Sequence, residues 1–139
     1  MKNNLIVGDA DAIIAQANSE DSNHNQAVRI AQALVDSQAN VIYPATAVVE
    51  AVTHIQRALN SGATAYGTAE LMINPDVQVV EVNKQTLTNA QKYFSPNSSK
   101  KNTLFDCVVA AVAEEYKADA IFSFDKFYKN KGFKLASEL

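Results

Sequence analysis

The chain of 139 residues has one cysteine, two histidines and no tryptophan. A lone cysteine, Cys107, excludes an intramolecular disulfide, and a reducing compartment fits best. Because Cys107 lies in an apolar helical pattern with no histidine nearby in sequence, we interpret it as a small buried hydrophobe rather than a nucleophile. His24 and His54 do not have the spacing of metal ligands, and we assign neither a role.

Glycines and long apolar runs are also scarce. Four glycines give the chain little means to build a phosphate-binding loop, which argues against nucleotide-cofactor folds. No apolar run approaches the roughly 18 residues that cross a bilayer. We therefore expect a cytoplasmic protein that does not enter a membrane. A hydrophobic fraction of 47% suits one globular domain, residues 1–139.

Charge is unevenly distributed along the chain. The net charge is −3, but residues 1–83 carry nine acidic and three basic side chains, whereas residues 84–139 carry nine basic and six acidic ones. The basic positions cluster on either side of two late acidic residues: Lys100, Lys101, Lys126, Lys129, Lys131 and Lys134. Lysines around an acidic pocket suit a phosphodiester substrate. The alternative is that they only keep loops soluble.

Val- and Ile-rich runs alternate with longer Ala-rich helical patterns. Strands are predicted over residues 4–8, 41–43, 77–82 and 120–124, with a short last strand near 133–135. Helices are predicted over residues 11–18, 23–37, 44–60, 63–73 and 85–94, with a further helix around Asp106 that ends near residue 117. This order predicts an α/β domain with a mostly parallel sheet of four to five strands and helices on both faces.

Four acidic residues stand where such a sheet would gather them: Asp9, Glu50, Asp106 and Asp125. Asp9 and Asp125 each follow an apolar strand, and ligands of open α/β sheets bind beyond the carboxyl ends of the strands. Carboxylates brought together repel one another unless a cation neutralises them. Oxygen ligands favour a divalent metal such as Mg²⁺, and hence metal-assisted hydrolysis.

Asp9, Asp11 and Asp106 can also be explained as helix-capping residues without any role in a site. Asp9 or Asp11 would accept hydrogen bonds from the free N–H groups of the helix that follows. Two carboxylates two residues apart exceed what capping needs, so Asp9 and Asp11 are both candidate ligands. Thr103 and Asp106 match a capping box. Asp106 nevertheless shares a helix face with apolar residues such as Val109, which favours a buried role.

The two remaining acids are also open to a second interpretation. Asp125 is either a turn residue or, together with Ser123, directed into a cleft at the strand end. Glu50 lies in a helix whose apolar stripe is predicted to be Val48, Val52, Ile55 and Leu59. Periodicity places Glu50 opposite that stripe and favours a solvated side chain.

The order of these elements resembles that of a known family. A strand leads to Asp9-x-Asp11, Pro44 precedes Val49-Glu50, Thr103-x-x-Asp106 opens an Ala-rich helix, and a last apolar strand ends in Ser123-Phe124-Asp125. This ordered set, which spans about residues 5–135, resembles the PIN-domain ribonucleases. It is most similar to the compact toxins of VapBC-type toxin–antitoxin pairs.

The resemblance implies a metal-dependent ribonuclease. The catalytic acids would be Asp9, Glu50, Asp106 and Asp125, with Mg²⁺ or Mn²⁺ held by Asp9, Asp106 and Asp125. Two supporting residues, Ser123 and Thr103, would complete the site. The family often has Ser, Thr or Asn where this chain has Asp11, so Asp11 is an additional candidate ligand.

Partners follow from the same resemblance. An RNA substrate would be contacted through its phosphates by a set of rim lysines: Lys100, Lys101, Lys126 and Lys129. Lys126 stands where the family often has arginine, a change of little consequence. A small antitoxin that fills the pocket with a basic side chain and a homodimeric state are also implied.

Other functions remain open from the sequence. A PIN-type nuclease that processes RNA without an antitoxin is the nearest alternative. Asp9-x-Asp11 is also similar to the acidic pair of haloacid-dehalogenase-type phosphatases, but the other motifs of those enzymes are not clear. A response-regulator receiver needs an Asp after the third strand, where this chain has Glu81 and Asn83.

Overall fold

The computed structural model describes residues 3–139, so the predicted domain limits, 1–139, begin outside the described residues. Four strands form one parallel sheet in the order β3-β2-β1-β4. Their bounds are β1 Leu5–Gly8, β2 Asn40–Pro44, β3 Gln78–Val80 and β4 Ala120–Phe122. The predicted α/β architecture with a parallel sheet is confirmed.

Seven α-helices surround the sheet within the described residues. They are α1 Ala10–Ala17, α2 His24–Asp36, α3 Ala45–Ala58, α4 Gly62–Met72, α5 Lys84–Ala90, α6 Leu104–Glu115 and α7 Phe127–Asn130. Two short 3-10 helices cover Gln91–Tyr93 and Ala136–Glu138. Among residues 3–139, no helix combines the length and apolar character needed to cross a bilayer.

The predicted fifth strand near residues 133–135 is wrong. Only an isolated bridge joins Leu135 to Ile121, because the chain turns into a 3-10 helix at Ala136. The third strand is also shorter than the predicted range of 77–82. Asn83 caps α5 through reciprocal hydrogen bonds with Thr86, which takes the chain out of the sheet soon after Val80. These losses occur on the two outer sides of the sheet, where fewer neighbours hold a strand in place.

The centre of the fold is helix α6, which is buried continuously from Asp106 to Ala113. Small and β-branched side chains along it pack against α3, α5 and the central strands. Cys107 lies in this core, as predicted, with 1% of its surface exposed. A charged residue at the start of such a helix is therefore held rigidly beside the ends of the strands.

One glycine is required by a close approach at the end of β1. A Cβ atom on Gly8 would lie 2.2 Å from Cε1 of Tyr43 on β2. The Tyr43 ring therefore packs directly over the backbone that leads into Asp9. A side chain at position 8 would displace either that ring or β1.

Candidate active site

Asp9 lies at the carboxyl end of the central strand. Its N–H donates to the carbonyl of Phe122 at 3.0 Å, which ties the ends of β1 and β4 together. Its side chain, 3% exposed, accepts hydrogen bonds from the N–H of Ala10 and the hydroxyl of Tyr128, both at 2.6 Å. Asp9 therefore caps α1, as predicted, and it lies at the predicted carboxyl end of the first strand.

The Asp9 carboxyl is difficult to ionise in this environment. Burial raises its pKa well above the usual range, and the charges of Asp11 and Asp106 raise it further. The hydrogen bonds from Tyr128 and Ala10 lower the pKa and offset part of this effect. A nearby cation would favour the ionised form of this carboxyl and lower its pKa.

Asp11 faces the same space from the first turn of α1. Its Oδ2 accepts from the Ser123 hydroxyl at 2.9 Å and from the N–H of Phe124 at 2.8 Å. Its Oδ1 is buried and has no hydrogen-bond partner. Burial, with a contribution from the charge of Asp125, raises the Asp11 pKa to about 6. Asp11 is therefore connected to the site through hydrogen bonds to its Oδ2, whereas its Oδ1 has no hydrogen-bond partner among residues 3–139.

Asp106 projects from the first turn of α6. Its Oδ2 accepts from the backbone N–H of Thr103 at 3.0 Å, as in the predicted capping box, and lies 3.5 Å from the Asn102 amide nitrogen. Its Oδ1 is 3.4 Å from the Tyr128 hydroxyl. Burial chiefly raises the Asp106 pKa, and the charge of Asp125 adds to it. Asp106 therefore caps α6 and also lies among the acidic side chains of the site.

Asp125 completes the cluster from the turn after β4. Its Oδ2 accepts from the Asn102 amide at 2.8 Å, and its Oδ1 accepts from the N–H of Phe127 at 2.9 Å. Its own N–H donates to the Ser123 hydroxyl oxygen at 3.1 Å. Asp125 is thus a turn residue and a neighbour of the other acids at the same time.

Hydrogen bonds and close polar contacts connect these groups across the site. Tyr128 links Asp9 to Asp106, and Asn102 links Asp106 to Asp125. Ser123 then links the backbone of Asp125 back to Asp9 and Asp11. Residues more than a hundred positions apart in sequence therefore face one another at a single edge of the sheet.

The face predicted for α3 is partly correct. Ile55 is fully buried, as predicted, but Leu59 is 36% exposed and the deeply buried positions also include Ala47 and Ala51. The buried stripe therefore runs through two small alanines that the larger side chains do not mark. Glu50 lies beside these alanines and is half-buried.

The surroundings of Glu50 include the acidic site. Its pKa is raised to about 7, first by burial and then by the charges of Asp106 and Asp11. A carboxyl with a pKa near neutrality exchanges protons readily at physiological pH. Glu50 therefore differs chemically from a solvated glutamate.

Two of the predicted rim lysines border the site. A cavity of about 450 Å³ is lined by Asp11, Asn23, Lys101, Phe124, Asp125 and Lys126. Lys100 lies in the preceding exposed turn. Lys129 instead pairs with Glu138 at 3.4 Å, and the ammonium of Lys131 lies 5.5 Å from the ring centroid of Phe127.

The donor set suits a hard divalent cation, but the carboxylates are held by protein groups. Among residues 3–139, no three His, Cys, Asp or Glu side chains are already arranged to hold a metal ion. Tyr128 and Asn102 bridge the carboxylates instead. The buried Oδ1 of Asp11, which has no hydrogen-bond partner in the described part of the chain, is nevertheless the kind of donor that such a cation takes. The oxygen donors and the crowding of buried carboxyl groups fit Mg²⁺ or Mn²⁺ by their chemistry.

No basic side chain neutralises this cluster. In the described part of the chain the ion pairs join Lys92 to Glu114 and Lys129 to Glu138, and neither involves a site acid. Four carboxylates at one edge of the sheet without a cationic partner are typical of a metal site rather than of a structural ion-pair network.

Sequence reasoning missed Tyr128 and Asn102. Asn102 directly precedes the predicted cap Thr103, and Tyr128 is an aromatic residue within a lysine-rich segment. Neither residue has a spacing that marks it, although a buried tyrosine must find a partner for its hydroxyl. That requirement is the only signal that would have pointed to the acids.

Comparison with known proteins decides the family. The model of the PIN domain family matches residues 6–134. The chain belongs to the PIN-domain family. Among solved structures, the PIN fold of this chain is similar to that of VapC20 from Mycobacterium tuberculosis, described as a sarcin–ricin loop cleaving toxin. The TM-score is 0.78 at 18% identity, over 92% of this chain and 95% of the other.

No curated protein matches this PIN-domain chain by sequence. The family match leaves the phosphatase and receiver alternatives without support. The predicted resemblance to the PIN domain is confirmed, while the roles of individual site residues stay predictions.

Proposed function

We propose that this PIN-domain protein is a metal-dependent endoribonuclease, the toxin of a toxin–antitoxin pair. The observation that carries the proposal is the convergence of Asp9, Asp11, Asp106 and Asp125 at one edge of the sheet without a basic partner. The PIN fold and its likeness to a toxin that cleaves an RNA loop support the assignment.

The site residues would divide the chemistry between them. Asp9, Asp106 and Asp125, with Asp11, would hold Mg²⁺ or Mn²⁺, which when bound lowers the pKa of water and neutralises charge on the phosphoryl oxygens. Glu50, with a pKa of about 7, would orient the attacking water and accept its proton at a carboxylate oxygen. Ser123 and the N–H of Thr103 hold the acids in place through their hydrogen bonds.

The cavity beside the acids suits a phosphate-bearing strand. Lys101 and Lys126 line it together with Asp11 and Asp125, so a strand would place flanking phosphates on the lysines and one phosphate at the carboxylates. Single-stranded or looped RNA is the substrate that fits, because a splayed strand reaches such an edge and a regular duplex does not.

A toxin needs an antitoxin, and the surface offers a place for one. An apolar cavity of about 540 Å³ lies between α1, α2 and α4 and includes Val28, Val35 and Leu71, all exposed. An amphipathic segment of a small antitoxin would cover these side chains. A co-purified small protein that inhibits RNA cleavage supports the toxin assignment, whereas activity that no such protein affects favours a processing nuclease. A homodimer and a cytoplasmic location remain predictions.

RNA cleavage tests the proposed activity directly. A fluorescently labelled RNA stem-loop is incubated with Mg²⁺ or Mn²⁺ and either wild type, Asp9→Asn or Asp106→Asn. Each substitution is expected to lower kcat/KM by about 10²–10³-fold, because an anionic ligand of the metal that would stabilise the transition state is removed. Glu114→Gln, a carboxylate on the far part of α6, is the control and keeps wild-type activity. Equal rates in all four proteins would remove the proposal.

The two lysines of the cavity provide a test of substrate contact. Lys101→Ala with Lys126→Ala is expected to raise KM several-fold and to reduce the salt dependence of RNA binding, since two phosphate contacts are lost. Lys117→Ala, a lysine at the opposite end of α6, is the matched control. An unchanged salt dependence in the double variant would place the RNA elsewhere.

A further inference from the structure

Tyr128 occupies an unusual position for a tyrosine. It lies on the four-residue helix α7 with 0% of its surface exposed, and it is among the largest fully buried side chains. Its hydroxyl is 2.6 Å from Oδ2 of Asp9 and 3.4 Å from Oδ1 of Asp106. One polar atom thus stands between two carboxylates that come from different elements of the fold.

The hydroxyl has a single proton, so the two contacts are unequal. The shorter distance identifies Asp9 as the acceptor, and the longer one keeps the phenol oxygen beside Asp106. The rest of the ring is enclosed by the core that surrounds α6, and Phe127 packs edge-on against it with ring centroids 5.3 Å apart. The position of the oxygen is therefore set by packing rather than by its own flexibility.

We propose that Tyr128 is a positioning residue, whose hydroxyl fixes the spacing of Asp9 and Asp106 so that both face a divalent cation together. This inference rests on the proposed function, because it presupposes that the two acids bind a metal. Oδ2 of Asp9 accepts from Tyr128 at 2.6 Å and lies 3.3 Å from the Ser123 hydroxyl, whereas Oδ1, among the described residues, accepts only from the N–H of Ala10 and has a second lone pair for a cation. Hydrogen bonds that orient ligand side chains typically change metal affinity by about 10–100-fold when removed.

A pair of conservative variants separates this role from a general one. Tyr128→Phe deletes only the hydroxyl that contacts Asp9. Tyr93→Phe is the control, because the Tyr93 hydroxyl also donates to a carboxylate, that of Glu114, but on the exposed surface of the fold. Binding of Mn²⁺ to each metal-free protein is measured by isothermal titration calorimetry, and folding is checked by circular dichroism.

The expected result is an Mn²⁺ affinity about 10-fold lower in Tyr128→Phe and unchanged in Tyr93→Phe. In RNA cleavage, Tyr128→Phe is expected to need more Mn²⁺ for half-maximal rate while KM for RNA at saturating Mn²⁺ stays the same. Wild-type affinity in Tyr128→Phe would overturn the positioning role and leave the proposed function standing. Absence of Mn²⁺ binding in the wild type would overturn both.

A second measurement needs no change at position 128. The five tyrosines are replaced biosynthetically by 3-fluorotyrosine, and the other four are assigned by substituting each with Phe in turn. The remaining ¹⁹F resonance, that of residue 128, is expected to shift when Mg²⁺ is added, because the acceptor Asp9 changes its charge environment. A resonance that does not respond to saturating Mg²⁺ would overturn the proposal even if Tyr128→Phe failed to fold.

Discussion

Two tyrosine–carboxylate contacts in this molecule have opposite surroundings. On the surface, Glu114 accepts from Tyr93 and pairs with Lys92, and the pKa of Glu114 is lowered, chiefly by the Lys92 hydrogen bond. At the sheet edge, Asp9 accepts from Tyr128 without a basic partner, and burial raises its pKa well above the usual range. The surface contact is complete by itself, whereas the buried one leaves negative charge for a cation to neutralise.

The difference supports the proposal that the acids at the sheet edge bind a cation. A lysine within the site would stabilise the protein and occupy the position that a metal ion needs. The lysines near the site, Lys101 and Lys126, stay at the rim of the cavity and do not pair with the acids. If the proposed metal site is correct, stability is given up at this edge of the sheet in return for metal binding, as is common at functional sites.

The largest expected effect comes from Asp106→Asn, which should lower activity without lowering stability. RNA cleavage falls by about 10²–10³-fold, because a charge at the reacting centre is lost. In a chelating buffer the melting temperature stays equal to that of wild type or rises, since one of the mutually repelling acids is removed. Glu114→Gln is expected to keep its activity and to lose a little stability. A strongly lowered melting temperature for Asp106→Asn would contradict this account.

The second largest difference between the acidic site and the surface contact of Glu114 is expected in the pH dependence of stability. Asp11 and Glu50 have folded pKa values of about 6 and about 7, above their usual values. Without metal, the folded state retains protons that the unfolded chain releases, so the stability that these groups contribute is greatest below about pH 4, falls as the pH rises through about 6 and about 7, and levels off above that. Glu114 acts in the opposite sense, because its lowered pKa adds stability above its unfolded value.

Urea unfolding in the presence of a chelator, between about pH 5 and about pH 8, measures this dependence. Glu50→Gln is expected to flatten the fall, and added Mg²⁺ is expected to offset it at the upper end. A wild-type free energy of unfolding that increases steadily across this pH range would show that the pKa values of Asp11 and Glu50 are not raised in the folded state.

The smallest effect is expected at the surface contact. Lys92→Ala removes the cationic partner of Glu114, an exposed pair, so the free energy of unfolding should change by less than about 1 kcal/mol. RNA cleavage and Mn²⁺ affinity should not change. A loss of activity in Lys92→Ala would mean that the surface contact of Glu114 is coupled to the acidic site, which would contradict the comparison between them.

Much of the site was accessible from the sequence because strand ends are easy to locate. Asp9 and Asp125 follow apolar runs, so their places at the carboxyl edge follow from the parallel arrangement alone. Asp106 is the acidic residue within the otherwise apolar stretch 104–113, and in the structure it is buried at the start of α6. These predictions need only the order of the elements.

The remaining features depend on packing that the sequence pattern does not express. Glu50 is half-buried rather than solvated, because the buried face of α3 includes the small residues Ala47 and Ala51 as well as Ile55. Tyr128 and Asn102 belong to segments that look like ordinary loops, and only tertiary structure brings their polar atoms to the acids. The last predicted strand failed because one bridge from Leu135 is too little to continue the sheet.

Binding of Mn²⁺ to the metal-free protein tests the central claim most directly. Calorimetric titration is expected to show saturable binding to wild type and to Glu114→Gln with equal affinity, and binding at least about 10-fold weaker in Asp9→Asn. No binding to the wild type, or the same affinity in all three proteins, would contradict the conclusion that the acids at the sheet edge form a metal site.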